Sequence, residues 1–139
     1  MKRLHPVGQV EMLFELSAAR VAVAMFSIER LLVLARRAAE RRRRDHLKGD
    51  RSVEQWCNVA ELLAHRASRL VPGAECLHRA LACRVWLARR GIDAEIVVGF
   101  RKRGAIEGHA WLEVDTPDGP RTMFKGDEDG YRESFREAA

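Results

Sequence analysis

The spacing of apolar residues changes once along this chain, and that change constrains the fold more than any other feature. Up to Gly91 apolar side chains recur every three or four residues, which is typical of amphipathic helices. From Ala94 onward the segments have strand composition, and in residues 109–115 apolar and polar side chains alternate cleanly. The order of the two patterns predicts an α+β fold with a helical N-terminal half followed by a small antiparallel sheet.

The first helical region covers about residues 7–40 and predicts one helix, or two helices that are separated near residues 17–20. The polar segment 41–51 is expected to be a connector. Ser52 follows as the expected N-cap of another amphipathic helix, which ends before Pro72.

The last helix predicted from the pattern runs from about residue 74 to Gly91, so Cys76 lies in or just before its first turn. The strand patterns come after it, with a charged loop expected at residues 101–108 and a turn at 116–119. The three expected strands are residues 94–100, 109–115 and 121–125.

The length of 139 residues predicts one domain with at most one catalytic centre. Three cysteines stand at positions 57, 76 and 83 without a CxxC pair, so the sequence predicts neither a zinc site nor a disulfide framework. Reduced thiols in the cytoplasm are the simpler expectation. The most apolar region, residues 12–34, carries four charged residues, so it predicts core helices and no membrane anchor.

A run of arginines accounts for much of the net charge of +5. Such a run fits either a solvated helix end or a surface for an acidic or nucleic-acid partner. The run contains no aromatic residue on which bases could stack, which argues against nucleic-acid binding. A non-catalytic basic helical adaptor therefore stays as an alternative function, with the solvated helix end as the preferred interpretation of the charge.

Cys76 and His109 are the residues that could carry chemistry. A helix N-terminus favours the thiolate form of a cysteine, which is the nucleophilic form. His109 begins a predicted strand and is the candidate base. Cys57 and Cys83 are expected in the core, and His78 is expected to point to a different face from Cys76, two residues away. The alternative is a purely structural role, in which Cys76 and His109 are core residues as well.

A third residue is needed to orient the imidazole ring. If the turn after Asp115 pairs that residue with about residues 119–121, the same register places His109 opposite residues 125–127 and favours Asp127. Asp115 itself lies six residues along the strand, roughly 20 Å from His109. Asp129 is the reserve candidate if the register shifts, so the third position stays open between these aspartates.

Three segments carry a resemblance to a known family: VPGAECLHRALA (residues 71–82), LARRGI (87–92) and GHAWLEVD (108–115). They resemble the protease part of the lasso-peptide biosynthesis B proteins, which are members of the transglutaminase-like superfamily. The resemblance covers about residues 53–135. It implies a papain-like catalytic core in residues 52–139 behind an N-terminal helical part in residues 1–51, with Cys76 as nucleophile and His109 as base.

The resemblance also implies a function and partners. It implies a stand-alone leader peptidase that needs no cofactor and cuts the leader from a ribosomally made precursor peptide. A separate leader-recognition protein and a separate lasso cyclase would be its partners. Because the same acyl-enzyme chemistry with an amine acceptor makes a transglutaminase, a transglutaminase-like acyltransferase stays as a second alternative.

Overall fold

The structure is a computed structural model that describes residues 6–124 and 131–136. Over these residues four helices precede a four-stranded antiparallel sheet, which confirms the predicted α+β fold with its helical first half. A short 3₁₀ helix at Asp45–Lys48 lies in the connector. The elements are α1 (Pro6–Met25), α2 (Ile28–Arg42), α3 (Val53–Ser68), α4 (Cys76–Ala88), β1 (Ala94–Arg103), β2 (Ala105–Thr116), β3 (Gly119–Met123) and β4 (Arg132–Arg136).

The break in the first helical region lies at residues 26–27, so the position near residues 17–20 was wrong. Residues 17–20 stay helical because Leu16 and Ala19 beside them are held in the core. At the true break, the side chain of Ser27 accepts a hydrogen bond from the backbone of Arg30 and begins α2. None of the described helices combines the length and apolarity needed to cross a bilayer.

Ser52 is the N-cap of α3, as the sequence predicted. Its hydroxyl accepts a hydrogen bond from the backbone N–H of Gln55 at 3.1 Å, and the Gln55 side chain accepts one from the N–H of Ser52 at 2.9 Å. These two reciprocal bonds form a capping box, which satisfies two N–H groups that the first turn leaves unpaired. The start of α3 is therefore fixed locally.

The central helix is α4, which packs against the other three helices and against β1 and β2. All of its residues from Ala80 to Ala88 are buried. Its end is marked by Gly91, whose φ of +73° suits the left-handed turn after a helix. A Cβ at this position would lie 2.9 Å from the backbone of Asp45, so no larger residue fits without movement.

The charged loop expected at residues 101–108 is wrong, because β1 and β2 continue through it as one hairpin. The strands turn at Gly104, whose φ is +73°. Arg101 and Glu107 lie opposite each other and form an ion pair at 2.8 Å, so the charges stabilise the strands across the sheet. The sheet order is β3-β2-β1-β4, and the edge strand β4 was not predicted.

One hydrophobic core joins both halves of the chain. The apolar face of the sheet and the inward faces of the helices contribute to a single cluster. Met12 and Leu16 of α1 are fully buried there, as are Ile96 and Leu112 of the sheet. The helical half is therefore part of the same packing unit as the strands.

The arginine run is only partly a solvated surface. Arg42 pairs with the buried carboxylate of Glu15 at 2.5 Å. Arg43 donates to the carbonyl oxygen of Gly91 at 3.1 Å and pairs with Asp93 at 2.5 Å. These two arginines bind the end of α2 to α1 and to the turn after α4. The remaining arginines of the run are exposed: Arg36, Arg37, Arg41 and Arg44.

Candidate active site

Cys76 is the first residue of α4, and its side chain is half-buried beside the core. Glu75 before it is extended and serves as the N-cap residue. Because the first N–H groups of a helix have no partner within the helix, the backbone at Cys76 offers donors to a developing negative charge. The prediction that Cys76 lies at the start of a helix is therefore confirmed.

His78 completes the cap of the same helix. Its Nδ1 accepts a hydrogen bond from the backbone N–H of Glu75 at 2.8 Å, so in the neutral ring the hydrogen is on Nε2. Burial, together with the nearby charge of Arg20, lowers the pKa of His78. Within the described residues Nε2 of His78 has no hydrogen-bond partner. His78 is thus a neutral capping group and is not bonded to Cys76.

The other two cysteines are core residues, as predicted. Cys57 and Cys83 are both fully buried, and burial raises the pKa of each thiol. The sulfur of Cys83 lies 3.7 Å from the carbonyl oxygen of Ala60 and donates to it. Neither thiol is placed to act as a nucleophile.

Cys76 and His109 lie on elements that pack against each other. α4, which begins at Cys76, packs against both β1 and β2. The chain reverses between Ala88 at the end of α4 and Ala94 at the start of β1. His109 is the direct partner of Gly99 in the β1–β2 hairpin. The candidate site therefore combines a side chain of the central helix with one of the hairpin beside it.

The ring of His109 is held by a backbone carbonyl. Its Nε2 lies 2.5 Å from the carbonyl oxygen of Phe124. A carbonyl oxygen only accepts hydrogen bonds, so Nε2 carries a hydrogen, and in the neutral ring Nδ1 has the free electron pair. The ring also stacks on Trp111 with centroids 6.0 Å apart, and Tyr131 lies 5.3 Å away on a tilted plane. Nδ1 is consequently the nitrogen that could accept a proton.

The structure does not join His109 to Cys76. Alternation along β2 places Ala110 and Leu112 in the core and leaves His109 and Trp111 on the other set of positions. Over residues 6–124 and 131–136, no hydrogen bond links the sulfur of Cys76 to the His109 ring. The two residues therefore lie on neighbouring elements without a hydrogen bond between them.

The turn that was used to place the third residue has the expected register, since Asp115 pairs with Pro120. Asp115 is exposed, six residues along β2 from His109. Regular pairing ends at Met123, and Phe124 has a φ of +67°. Asp127 and Asp129 lie outside the described residues, so the choice of Asp127 stays a prediction.

Sequence reasoning missed the carbonyl of Phe124 as a partner of the ring, because a backbone atom leaves no signature in residue type. It also missed Trp111, although its position two residues after His109 places both on one face of a strand. No group of three or more potential metal ligands occurs in the described part of the chain.

Residues 15–137 match the family described as the transglutaminase-like superfamily. The chain belongs to the transglutaminase-like superfamily. The matched range includes α2, α3 and α4 together with the whole described sheet, so it extends well beyond the segment that carried the resemblance in the sequence. No curated protein and no solved structure matches the chain. Membership of a transglutaminase-like superfamily makes Cys76, at the start of its central helix, the natural candidate nucleophile.

Proposed function

We propose that this protein is a cysteine peptidase that removes the leader from a ribosomally synthesised lasso-peptide precursor. The observation that supports the proposal is the placement of Cys76 at the first residue of α4, a helix that packs against the strand of His109, within a transglutaminase-like domain. The resemblance of residues 71–82 and 108–115 to the lasso-peptide B proteins supplies the substrate class. A cytoplasmic location suits an enzyme whose nucleophile is a free thiol.

The mechanism is acyl transfer through a thioester. Nδ1 of His109 accepts the proton of the Cys76 thiol, and the sulfur attacks the carbonyl carbon of the scissile peptide bond. The backbone N–H of Cys76 donates to the oxyanion, and the imidazolium returns its proton to the leaving amine. Water then attacks the thioester and releases the leader with a free carboxylate, which regenerates the thiol.

This mechanism needs His109 to reach Cys76 when substrate is bound. Catalytic hydrogen bonds are often long in unliganded enzymes and tighten in the substrate complex. In the neutral ring, the contact of Nε2 with the Phe124 carbonyl puts the free electron pair on Nδ1, and a general base needs such a pair. Because His109 occupies the β2 positions that alternate with the core-facing ones, the mechanism also requires the backbone of β2 to rearrange when the peptide binds at the start of α4.

Asp127 is the proposed third catalytic residue. A carboxylate beside the imidazolium would stabilise its charge, a role whose loss costs up to ~10⁴ in rate in the serine-protease triad. Asp127→Asn should therefore lower turnover strongly with little change in precursor binding. Asp115→Asn and Asp118→Asn are the controls, since the first lies far along β2 and the second in the turn after it. A damaging Asp115→Asn with a benign Asp127→Asn would refute the assignment.

The partners that follow from this function are a separate leader-recognition protein and a lasso cyclase. If recognition is supplied separately, cleavage of the full precursor should be slow alone and faster when the recognition protein is added. Equal rates with and without it would show that this chain recognises the leader itself. The exposed arginines of α2 and the segment after it are where a docking surface should be sought first.

An acyltransferase is the second candidate, and membership of the superfamily favours it as much as hydrolysis. An amine would then attack the same thioester in place of water. Cleavage assays that contain a fluorescent primary amine separate the two reactions, because transfer yields a labelled peptide and hydrolysis a free carboxylate. Predominant labelling would replace the peptidase assignment.

The decisive test is precursor cleavage followed by mass spectrometry. Cys76→Ala should abolish cleavage and leave the fold intact, whereas Cys57→Ala and Cys83→Ala should retain activity. Circular dichroism and the urea unfolding midpoint of each variant report on the fold. Cleavage by a folded Cys76→Ala variant would rule out the thioester mechanism. If neither the wild type nor any of the three variants cleaved the precursor, the non-catalytic adaptor would be favoured.

A further inference from the structure

A cavity of about 470 Å³ lies among the helices, away from Cys76. It is bounded by the beginning of α1, the 3₁₀ segment, the first turns of α3 and the end of α4. Trp86 in its wall is ten residues from Cys76 on α4, which corresponds to roughly 15 Å along the helix. Ligand cavities in proteins commonly span about 300 to 1,000 Å³, so this volume suffices for a bulky side chain.

The wall of the cavity is mainly aromatic and aliphatic. Trp56 and Trp86 meet edge to face with centroids 5.7 Å apart, and Val59, Leu63 and Leu47 complete the lining. The indole N–H of Trp56 donates to the carbonyl of Lys48, and that of Trp86 donates to the carbonyl of Gly8. The two rings therefore have their polar groups satisfied, and their remaining surface suits an apolar guest.

The charges in the wall do not cancel. Arg90 pairs with Glu11 at 2.9 Å and lies 3.6 Å from the centroid of Trp86, so this buried cation has its counterion. Arg51 lies over the ring of Trp56 at 4.9 Å. Within the described part of the chain, no carboxylate pairs with Arg51. The cavity thus combines an apolar interior with one uncompensated positive charge.

We propose that this cavity binds a peptide segment in which a bulky apolar residue adjoins an acidic one. The apolar side chain enters between the tryptophans, and the carboxylate pairs with Arg51. The cavity opens beside Leu47, which is 43% exposed, so an extended peptide can cross its mouth. This site is a docking point for the substrate of the proposed peptidase and therefore rests on that function, although binding is measured separately from cleavage.

The test uses the full chain with Cys76→Ala, so that binding is read without cleavage, and labels the tryptophans with ¹⁵N. The chain has three tryptophans, and Trp111 lies outside the cavity on β2. The probes are N-acetyl-Phe-Glu-amide and its uncharged isostere N-acetyl-Phe-Gln-amide. Titration should shift the indole signals of Trp56 and Trp86 and leave that of Trp111 unchanged.

The glutamate probe should bind about threefold more tightly than the glutamine probe, as expected for one partly exposed ion pair. Arg51→Gln should abolish this preference, whereas Arg69→Gln, an exposed arginine at the other end of α3, should keep it. Equal affinities in the parent protein, or a preference that survives Arg51→Gln, would overturn the proposal. So would tighter binding of 3-phenylpropionate, which would assign the cavity to free aromatic acids. Failure of precursor cleavage by the wild-type chain with the recognition protein present would refute the peptidase and leave these binding results standing.

Discussion

The Nε2 atom of His109 lies 2.5 Å from the carbonyl oxygen of Phe124, a residue with a φ of +67°. A left-handed backbone at a residue other than glycine costs roughly 1 to 2 kcal/mol. The ring contacts of Phe124 with the core offset part of this cost. The orientation of the candidate base thus depends on the backbone of a single residue after β3.

Substitutions at Phe124 can separate its backbone from its side chain. Phe124→Gly and Phe124→Ala both remove the ring, but only alanine opposes the positive φ. We expect Phe124→Gly to be the more stable variant by about 1 kcal/mol and to retain more cleavage activity. Urea unfolding and kcat/KM measure the two effects. Equal or better performance of the alanine variant would mean that the left-handed backbone is unimportant to His109.

The three cysteines should differ sharply towards iodoacetamide. Cys76 is half-buried at a helix start, whereas Cys57 and Cys83 are fully buried and burial raises the pKa of both thiols. We expect a single adduct on the native protein, at Cys76, and three adducts after unfolding in urea. Mass spectrometry of tryptic peptides over time gives the rate at each site. Comparable rates at Cys57 and Cys76 in the native protein would contradict the structure.

Gly99 allows Trp111 to lie against the sheet beside His109. A Cβ at this position would lie 2.8 Å from the Trp111 ring and 3.0 Å from the backbone oxygen of Arg132. Gly99→Ala should therefore cost about 1 to 3 kcal/mol, as overpacked substitutions do, and should reduce activity by displacing the stacked ring.

The matched control for that substitution is Gly8→Ala on α1. There an added Cβ meets its nearest neighbour, Arg90, at an ordinary 3.5 Å, and alanine is the better helix former. The control should be neutral or stabilising in urea unfolding. A Gly99→Ala protein as stable as the control and as active as the wild type would show that β1 and the Trp111 ring adjust without cost.

His78 should make stability depend on pH. Burial lowers the pKa of His78, so the unfolded chain binds its proton at a higher pH than the folded one does. Stability is therefore complete above the unfolded pKa of about 6.5 and falls as the pH drops through that value. His78→Asn keeps an acceptor for the Glu75 N–H but does not titrate. Its urea midpoint should change less between pH 7.5 and 5.5 than that of the wild type, and an equal change would assign the effect to other groups.

Local signals in the sequence identified the start of α3, because a cap such as Ser52 acts through residues three positions away. The placement of Cys76 followed from the same kind of signal. The boundary between α1 and α2 was misplaced because residues 17–20 are held helical by burial, which is a tertiary effect. The charged hairpin was taken for a loop because the pairing of Arg101 with Glu107 is visible only once the strands are aligned.

The candidate site was predictable only where it depends on residue type. Cys76 and His109 could be selected from their positions, and Cys57 and Cys83 could be assigned to the core. The carbonyl of Phe124 could not be predicted as a partner of the ring, because every residue has a carbonyl and the direction of this one depends on the unusual φ of Phe124. The absence of a hydrogen bond between Cys76 and His109 could not be predicted either. It depends on which side chains of β2 face the core, and that core includes α1.

The burial of Met12 and Leu16 in the same cluster as the sheet affects how the segment with the candidate site could be inherited or transplanted. Residues 52–139 hold both Cys76 and His109, yet they lack the apolar surface that α1 supplies. A gene fragment that encoded them alone would specify a chain with an open core. Recombination, whether natural or in the laboratory, would have to transfer the helices and the strands together, because only then would the chain that carries the thiol fold.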